Sequence, residues 1–449
     1  MKSNFALITL LVVAGTPAAA QTPASEPYAL SYAAGGYDDG GNFLGGTEFM
    51  NLTTFNGKLY GGLSYFMDDP GTDPKSGAQI IVLDSSTSQW QQEFVFDQTD
   101  SVGNFLYGRI NSLQVVQFQS YDPTTGTVEG TLANILTTSF SGNGGVWTQE
   151  SPGNWVNTEL PTSQEVRSMA THYVAGQTTN TLFAGASGFH IYAGTYDPSA
   201  PGQITWDKKP EILVPDVKAA RSRVMSMTEC GGYLFAAVNP SIYRRNDQTK
   251  SWEVIYTYPA DAYDLSKDVS GFRALNCITL DNGQSALMTG LEGDHSSIFS
   301  FDPQTGVGSI VLNVNGFLTQ QWGNPSLNLD TIAGYDDNDI ALVNGDQLTG
   351  LDTRSPVAGE KNAAFFISCI QDQCDLVQSA YQLHEVPVLL PWPYYRSNVA
   401  LESIRTVTVS PFPEDQGQVI YLGGYDGGHV AHHNTAWLYR VGINTALAH

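Results

Sequence analysis

Five arginines each stand at the start of an apolar run, and these runs recur along the chain. The arginines are Arg109, Arg167, Arg223, Arg273 and Arg405. The chain contains 20 lysines and arginines in all, so a quarter of its positive charge lies at these five positions. A guanidinium group binds a carboxylate through two parallel, charge-assisted hydrogen bonds. The pattern therefore predicts a binding site for ligands that carry carboxylate groups.

The arginines must be positioned by a repeated structural unit. Each arginine leads into a strand-like run and a turn, and two further units, starting at Phe49 and Leu329, share this frame without the arginine. Strand-rich repeats of roughly 40–50 residues are typical of β-propeller blades. We therefore predict an all-β fold, a seven-bladed β-propeller, in which the arginines enter the inner strands at the mouth of the central channel.

Two further patterns bear on this architecture. The last unit lacks a fourth strand, which the N-terminal segment from Tyr28 to Ala33 would supply, so that the ring closes without an open sheet edge. Four hairpins between the third and fourth strands end at a tryptophan, which we expect to pack between neighbouring blades. These tryptophans are Trp90, Trp155, Trp206 and Trp252.

The beginning of the chain has the pattern of an export signal. Lys2 precedes an apolar stretch from Phe5 to Ala14, and a run of small residues ends at Ala20. This order is typical of a secretory signal peptide. We predict a signal peptide over residues 1–20 and a single propeller domain over residues 21–449. The protein would then be secreted, to the extracellular space or the periplasm, and we expect a monomer.

The charge balance restricts the classes of partner. The formal net charge is −24 at pH 7, which disfavours general attraction to nucleic acid and to anionic membrane surfaces. An anionic ligand, such as an acidic polysaccharide or oligosaccharide, would need a local positive field. The repeated arginines are the predicted source of that field.

The four cysteines fit an oxidising compartment. Cys369 and Cys374 flank a short polar turn, which favours a local disulfide. Cys230 and Cys277 lie in the first strands of consecutive units, where a disulfide would join neighbouring blades. The spacings do not match the patterns of zinc sites.

Histidines cluster in one class of loop, between the second and third strands of a unit. Five of the eight histidines lie there: His190, His295, His429, His432 and His433. A histidine acts as an acid or a base near neutral pH. In an alternative interpretation, Asp426, His429, His432 and His433 bind a divalent metal, calcium or zinc. The connections that precede the inner strands add aromatic rings suited to sugar faces, among them Trp322, Trp392, Tyr394 and Tyr395.

With its arginine-led strands, its repeats and a closing segment from His433 to Arg440, the chain resembles secreted seven-bladed β-propeller proteins, including the propeller-fold polysaccharide lyases that cleave uronate-containing chains. The resemblance implies β-elimination on an anionic polysaccharide. Arginines would neutralise the carboxylate, a base would remove the C5 proton, and an acid would protonate the departing oxygen. The implied carboxylate ligands are Arg223 and Arg273, the implied base is His190 or His295, and the implied acid is Tyr425 or Tyr395.

Three alternatives remain open at this point. The same arginines and aromatic rings would serve a non-catalytic module that binds an acidic glycan and releases no product. Paired carboxylates, such as Asp426 with Glu292, would instead indicate a glycoside hydrolase. In the simplest alternative the protein is a scaffold, and its arginines pair with acidic neighbours inside the channel.

Overall fold

The computed structural model describes most of the chain between residues 27 and 448. The described ranges are 27–65, 76–141, 143–212, 222–259, 271–280, 282–324, 331–334, 339–343, 345–353, 364–370, 380–387, 403–425 and 434–448, with residues 329, 374 and 389. The predicted signal peptide lies outside them. Within these ranges no helix has the length and apolar character needed to cross a membrane.

The described strands pair antiparallel in successive units, mostly of four strands, which we call blades and number in chain order. The chain starts with β1 (Ala29–Ala33) and the short hairpin of β2 (Gly36–Tyr37) and β3 (Phe43–Leu44). Blade 1 has β4 (Glu48–Phe55), β5 (Lys58–Ser64), β6 (Gln79–Leu83) and β7 (Gln91–Val95). Blade 2 has β8 (Ile110–Tyr121), β9 (Val128–Phe140), β10 (Val146–Gln149) and β11 (Trp155–Asn157). Blade 3 has β12 (Val166–His172), β13 (Thr181–Ala186), β14 (His190–Tyr196), β15 (Ile204–Trp206) and β16 (Glu211–Ile212).

The remaining blades continue the same order from the inner strand outward. Blade 4 has β17 (Val224–Cys230), β18 (Tyr233–Val238), β19 (Ser241–Asn246) and β20 (Ser251–Thr257). Blade 5 has β21 (Phe272–Thr279), β22 (Ser285–Leu291), β23 (Ser297–Phe301) and β24 (Gly308–Asn313), followed by helix α1 (Val314–Gln321). Blade 6 has β25 (Thr331–Ala333), β26 (Ile340–Val343), β27 (Asp346–Thr353), β28 (Ala364–Ile370) and β29 (Tyr381–Val386). Blade 7 has β30 (Ser403–Val409), a 3₁₀ turn (Pro413–Asp415), β31 (Val419–Tyr425) and β32 (Trp437–Gly442), and α2 (Ile443–Ala446) follows.

The N-terminal strand closes the propeller. β1 pairs antiparallel with β32, with Ala29 opposite Arg440 and Ala33 opposite Trp437. The first strand of the domain is therefore the outer strand of the last blade, which leaves no unpaired strand edge where the ends of the ring meet. The all-β propeller fold and its N-terminal closure are both confirmed.

The hydrophobic core lies between neighbouring blades. β6 has the sequence QIIVL and is buried along its whole length, as expected for a strand that packs on both faces. Tyr60 and Ile80 of blade 1 share one buried cluster with Leu113 and Leu136 of blade 2. Each such interface buries apolar surface, which contributes roughly 25 cal/mol of stabilising free energy per Å² and holds the blades together.

The four tryptophans contact the preceding blade, as the hairpin pattern predicts. Trp90 Nε1 donates to Ser31 Oγ of the closing strand at 3.1 Å, and Trp252 Nε1 donates to Glu211 Oε2 of blade 3 at 3.0 Å. The Trp206 indole donates to the backbone of blade 2, and the Trp155 ring lies 6.0 Å from the ring of Phe94 in blade 1. They are structural residues.

Blade 6 differs from the sequence prediction. The pattern predicts Ile340–Asn344 as the second strand of this unit, and this is wrong. β25 and β26 both pair with β27, so together they form an interrupted inner strand. Gly345 has a φ of 92°, a left-handed conformation that suits glycine, and it reverses the chain directly after β26. β27 is therefore the second strand.

Both predicted disulfides are present. Cys369 and Cys374 close a local loop at a Cα–Cα distance of 5.5 Å. Cys230 and Cys277 join the ends of β17 and β21, the inner strands of blades 4 and 5, at a Cα–Cα distance of 5.3 Å. Two disulfides are consistent with a protein of an oxidising compartment.

Candidate functional site

A β-bulge recurs near the start of the inner strands and sets where the arginines point. In blades 3 and 7 the extra residue is the arginine itself, Arg167 or Arg405. In blades 2 and 4 the arginine, Arg109 or Arg223, lies two residues before the extra residue. Bulges redirect side chains at the rims of β-structures. The single repeated position in the sequence therefore corresponds to more than one position in the structure.

Carboxylates occupy the same end of the inner strands. The guanidinium of Arg405 lies 2.9 Å from Asp352 Oδ2 and 3.9 Å from Glu48 Oε1. Arg109 Nε lies 3.3 Å from the other oxygen of Glu48. All four side chains are buried. This group connects blades 1, 2, 6 and 7 around the channel.

A second group surrounds Glu165, which begins blade 3. Arg167 Nε donates to Glu165 Oε1 at 2.7 Å, and Arg223 Nε lies 3.3 Å from Oε2. Burial by itself would raise the pKa of the Glu165 carboxyl, but the charges of Arg167, Arg223 and Arg109 outweigh burial and hold this pKa below its usual range. Glu165 is therefore a carboxylate shared by two arginines.

Blade 5 contributes its own buried pair. Arg273 Nε donates to Glu292 Oε2 at 2.7 Å, and both side chains are about 3% exposed. Glu292 follows β22 directly, so the acid comes from the second strand and the arginine from the first. Glu292, a candidate carboxylate of the hydrolase interpretation, forms a buried ion pair here.

Together these residues form what we call the arginine ring: the five arginines with Glu48, Glu165, Glu292 and Asp352. Ion pairing explains the burial of so much charge, because an unpaired charge in this environment would cost several kcal/mol. Arg223 differs from the other four arginines, since 36% of its side-chain surface is exposed. Of the ring's arginines, it is the one that a dissolved ligand reaches most readily.

Two of the predicted catalytic residues have described side chains. His295 is exposed in the turn between β22 and β23, and its ring lies 6.3 Å from that of Tyr258. His190 begins β14 and is half-buried, and its Nδ1 makes no hydrogen bond to a described residue. For Tyr425 the structure describes the backbone, which pairs with Ser403 and with Glu48 of the arginine ring.

The other predicted site residues divide into two groups. Trp322 follows α1 and packs edge-on against Phe365 at 5.3 Å, partly buried in the core of blade 6. The rest lie outside the described residues: Trp392, Tyr394, Tyr395, Asp426, His429, His432 and His433. The metal site predicted from the last four stays a prediction. Among the described side chains, no group of three or more His, Cys, Asp or Glu residues is arranged so that it could hold a metal ion.

A second buried charged cluster lies at the opposite end of the same inner strands. His172 ends β12, five residues after Arg167, a separation of about 17 Å along a strand. Its Nδ1 bonds to Glu229 Oε2 at 2.7 Å, and its Nε2 bonds to Asp247 Oδ2 at 3.0 Å. Burial favours the neutral imidazole, but the hydrogen bonds and charges of Asp247 and Glu229 raise the pKa of His172 to about 9.

Arg245 extends this cluster toward the outer strands. Its guanidinium forms a two-pronged pair with Glu211, through bonds of 2.9 and 2.8 Å, and it also donates to Asp247. The arginine is buried against the ring of Phe183, at 4.8 Å from its centroid. We call His172, Glu211, Glu229, Arg245 and Asp247 the histidine cluster.

The sequence does not single out Glu48, Glu165 and Asp352 as members of the ring, and it predicts no part of the histidine cluster. A signal exists for the first, because Glu165 stands two residues before Arg167 and Glu48 directly before the apolar run of blade 1. For the histidine cluster the signal is partial, because His172 and Glu229 both lie near the ends of inner strands. Their partners Asp247 and Glu211 come from other strands, which sequence spacing does not reveal.

No protein-family model and no curated protein sequence matches the chain. Among solved structures, it is similar to the extracellular domain of BT4673 from B. thetaiotaomicron, assigned to a hybrid two-component system. The identity is 14%, over 92% of this chain and 39% of that chain, with a TM-score of 0.51. The extracellular domain of BT3049 from the same organism, also assigned to a hybrid two-component system, is 12% identical over 89% of this chain and 40% of that one, with a TM-score of 0.50.

The chain thus spans about two-fifths of the length of these structures. At such low identity the likeness concerns the fold alone. Taken with the strand pairings described above, it identifies the chain as a β-propeller.

Proposed function

We propose that this protein is a secreted propeller that binds an acidic, uronate-bearing glycan at the arginine end of its channel. The observation that supports the proposal most is the position of Arg223. Its guanidinium is oriented by Glu165 and remains over a third exposed, in a chain of net charge −24. An exposed guanidinium held in place by a carboxylate is suited to bind a second carboxylate from solution.

The remaining arginines support this role indirectly. Arg109, Arg167, Arg273 and Arg405 are buried and ion-paired, so we assign them to holding the inner strands at their bulges. Their positive charges still contribute to the electrostatic potential at the mouth of the central channel. The five arginines of the ring face four carboxylates, which leaves one excess positive charge among the named members.

Cleavage of the bound glycan by β-elimination is an extension of this proposal. His295 favours it, because its exposed imidazole lies in one of the loops that follow second strands and would be reachable by a bound sugar. In this extension Arg223 neutralises the uronate carboxylate and a histidine removes the C5 proton. The assignment of Tyr395 or Tyr425 as the acid remains a prediction from sequence.

The test combines binding and turnover on one set of uronate oligosaccharides. Titration calorimetry of the mature protein measures affinity, and ultraviolet absorbance of the conjugated double bond detects elimination. We expect saturable binding that weakens about tenfold in Arg223→Gln, the loss of one charged hydrogen-bonding group. Arg244→Gln, at a partly buried arginine of β19 that pairs with Glu253 and does not belong to the arginine ring, is the control and should bind like the wild type.

Two results would reject the proposal. One is no saturable binding of any acidic oligosaccharide to the wild-type protein. The other is equal affinity of the wild type and Arg223→Gln. Binding without an increase in absorbance would support the binding module and reject the elimination step alone.

A further inference from the structure

A cavity of about 410 Å³ is lined by the middle and later parts of the inner strands, beyond the arginine ring. Its wall comes from β8, β12, β17 and β21, the inner strands of blades 2 to 5, and includes Gln114, Met169, Met227, Glu229, Asn276 and Cys277. Volumes of roughly 300–1,000 Å³ are typical of sites for small organic ligands. The cavity is therefore large enough to hold one.

Gln114 and Glu229 bring hydrogen-bond acceptors to this wall, and Thr171 and Thr228 bring hydroxyls that donate or accept. Gln114 Nε2 donates to the backbone oxygen of Met169 at 2.9 Å, which fixes the amide and leaves its oxygen as an acceptor. Asn276 Nδ2 is directed to Gln347 Oε1 at 3.4 Å, and Asn276 Oδ1 is buried, so a ligand in the cavity does not contact it. The Gln114 oxygen and the Glu229 carboxylate favour a ligand that supplies donors.

The charge of the wall is negative. Glu229 lines the cavity with 40% of its side chain exposed, whereas His172 behind it is 1% exposed. The histidine cluster has two cations, His172 and Arg245, and three carboxylates, so its named members carry one excess negative charge. Because His172 is charged at neutral pH, its hydrogen bond fixes one oxygen of Glu229 and orients the carboxylate.

Apolar groups complete the site. Val115 lines the same cavity and is 36% exposed, whereas Met169 and Met227 of the wall are about 2% exposed and pack into the cores between blades. The disulfide between Cys230 and Cys277 joins the two strands that carry Met227 and Asn276. This cross-link holds the wall in place before a ligand enters.

We propose that this cavity binds a small organic cation, an alkyl chain ending in a primary ammonium group, with Glu229 as its charge partner. The ammonium donates to the Glu229 carboxylate and to the amide oxygen of Gln114, while the alkyl chain lies along Val115. This inference is independent of the glycan proposal, because it depends on Glu229, near the end of β17 that lies away from Arg223.

The test uses n-butylammonium as the probe and the mature protein, with n-butanol as the uncharged analogue. Titration calorimetry should show saturable binding of the ammonium compound and at least tenfold weaker binding of the alcohol. Glu229→Gln keeps an oxygen for His172 but removes the charge, and we expect about a tenfold loss of affinity or more. Glu129→Gln, an exposed position on β9, is the matched control and should match the wild type.

A second variant tests the proposal even if Glu229→Gln fails to fold. Thr228→Lys places an ammonium group of the protein itself in the cavity and leaves the bond between His172 and Glu229 in place. We expect it to abolish binding of the probe while its melting curve stays close to that of the wild type.

Three results would overturn the proposal: no saturable binding of n-butylammonium to the wild type, equal binding of n-butanol, or undiminished affinity in Thr228→Lys. Each is distinguishable from failure of the glycan proposal, because that proposal is tested with a different ligand and with Arg223.

Discussion

At the two ends of the inner strands β12 and β17, the named members of the two ion-pair networks differ in their balance of charge. At one end, the arginine ring combines five cations with four carboxylates, and its accessible member is Arg223. At the other, the histidine cluster combines two cations with three carboxylates, and Glu229 lines a cavity. Both networks hold neighbouring blades together through ion pairs. Ion pairing between blades therefore leaves an accessible cation, Arg223, at one end and an accessible carboxylate, Glu229, at the other.

Glu165 of the arginine ring and His172 of the histidine cluster contribute to stability in opposite pH ranges. Glu165 has a lowered pKa in the folded protein, so its stabilising contribution is present above the usual carboxyl range and is lost as pH falls through the lowered pKa. His172 has a raised pKa, so its contribution is complete below about 6.5 and is lost as pH rises through about 9. Asp247 adds to the acid-side loss at the histidine end, since its pKa is lowered despite burial.

The largest effect is expected from opening a buried pair of the arginine ring. Arg273→Met leaves Glu292 buried without this partner and should lower the free energy of unfolding by about 3–5 kcal/mol. The double variant Arg273→Met/Glu292→Leu removes both charges and should recover most of the loss. Denaturant unfolding measures both, and a double variant as unstable as the single one would contradict the pairing.

The next largest loss of stability is expected from removal of the disulfide between Cys230 and Cys277. Cys230→Ser/Cys277→Ser opens a loop of 47 residues and is expected to cost about 4 kcal/mol, from the loop-length dependence of cross-link entropy. The matched variant Cys369→Ser/Cys374→Ser opens a loop of 5 residues and should cost about 2 kcal/mol. Equal losses in the two variants would show that the bridge between blades 4 and 5 contributes no more than a local one.

The loss of stability at alkaline pH tests the histidine cluster separately from the arginine ring. As pH rises from about 6.5 to above 9, the wild-type protein should lose stability on the order of 3 kcal/mol, the equivalent of the raised His172 pKa. His172→Gln should lack this pH dependence, whereas His295→Gln, at an exposed histidine, should retain it. Unfolding curves at a series of pH values test this. An unchanged alkaline slope in His172→Gln would place the titrating group elsewhere.

The smallest effect on stability is expected at Arg223. Because its ion pair with Glu165 is partly exposed, Arg223→Gln should change the free energy of unfolding by less than about 1 kcal/mol. The same variant should weaken binding of acidic oligosaccharides, which separates a ligand-binding arginine from a structural one. Thermal melting gives the first quantity, and a loss comparable to that of Arg273→Met would assign Arg223 to the structure.

The sequence predicts the fold well because its signals are local. Arginine-led strands, tryptophan-ended hairpins and an N-terminal strand without a partner lead to the propeller, its blade contacts and its closure. Blade 6 is the exception, because a glycine turn after Val343 shifts the order of its strands. In most of the other blades each strand pairs with its neighbour in the sequence, so local patterns are enough to predict the strand order.

The site is less predictable because its charges pair across blades. The arginines are visible in sequence, but their burial depends on Glu48, Glu165, Glu292 and Asp352. His172 provides a further example, since its partner Asp247 lies 75 residues away in the sequence. A spacing pattern cannot show which carboxylate a histidine meets. It also cannot show that Arg223 is the exposed member of the ring.

The most direct test is a crossed titration of two variants with two ligands. Arg223→Gln and Glu229→Gln are each titrated with a uronate oligosaccharide and with n-butylammonium, alongside the wild type. We expect Arg223→Gln to lose affinity for the oligosaccharide alone and Glu229→Gln to lose affinity for the ammonium compound alone. Weakening of both ligands by either variant, or of neither ligand by both, would contradict the assignment of opposite charge to the two ends.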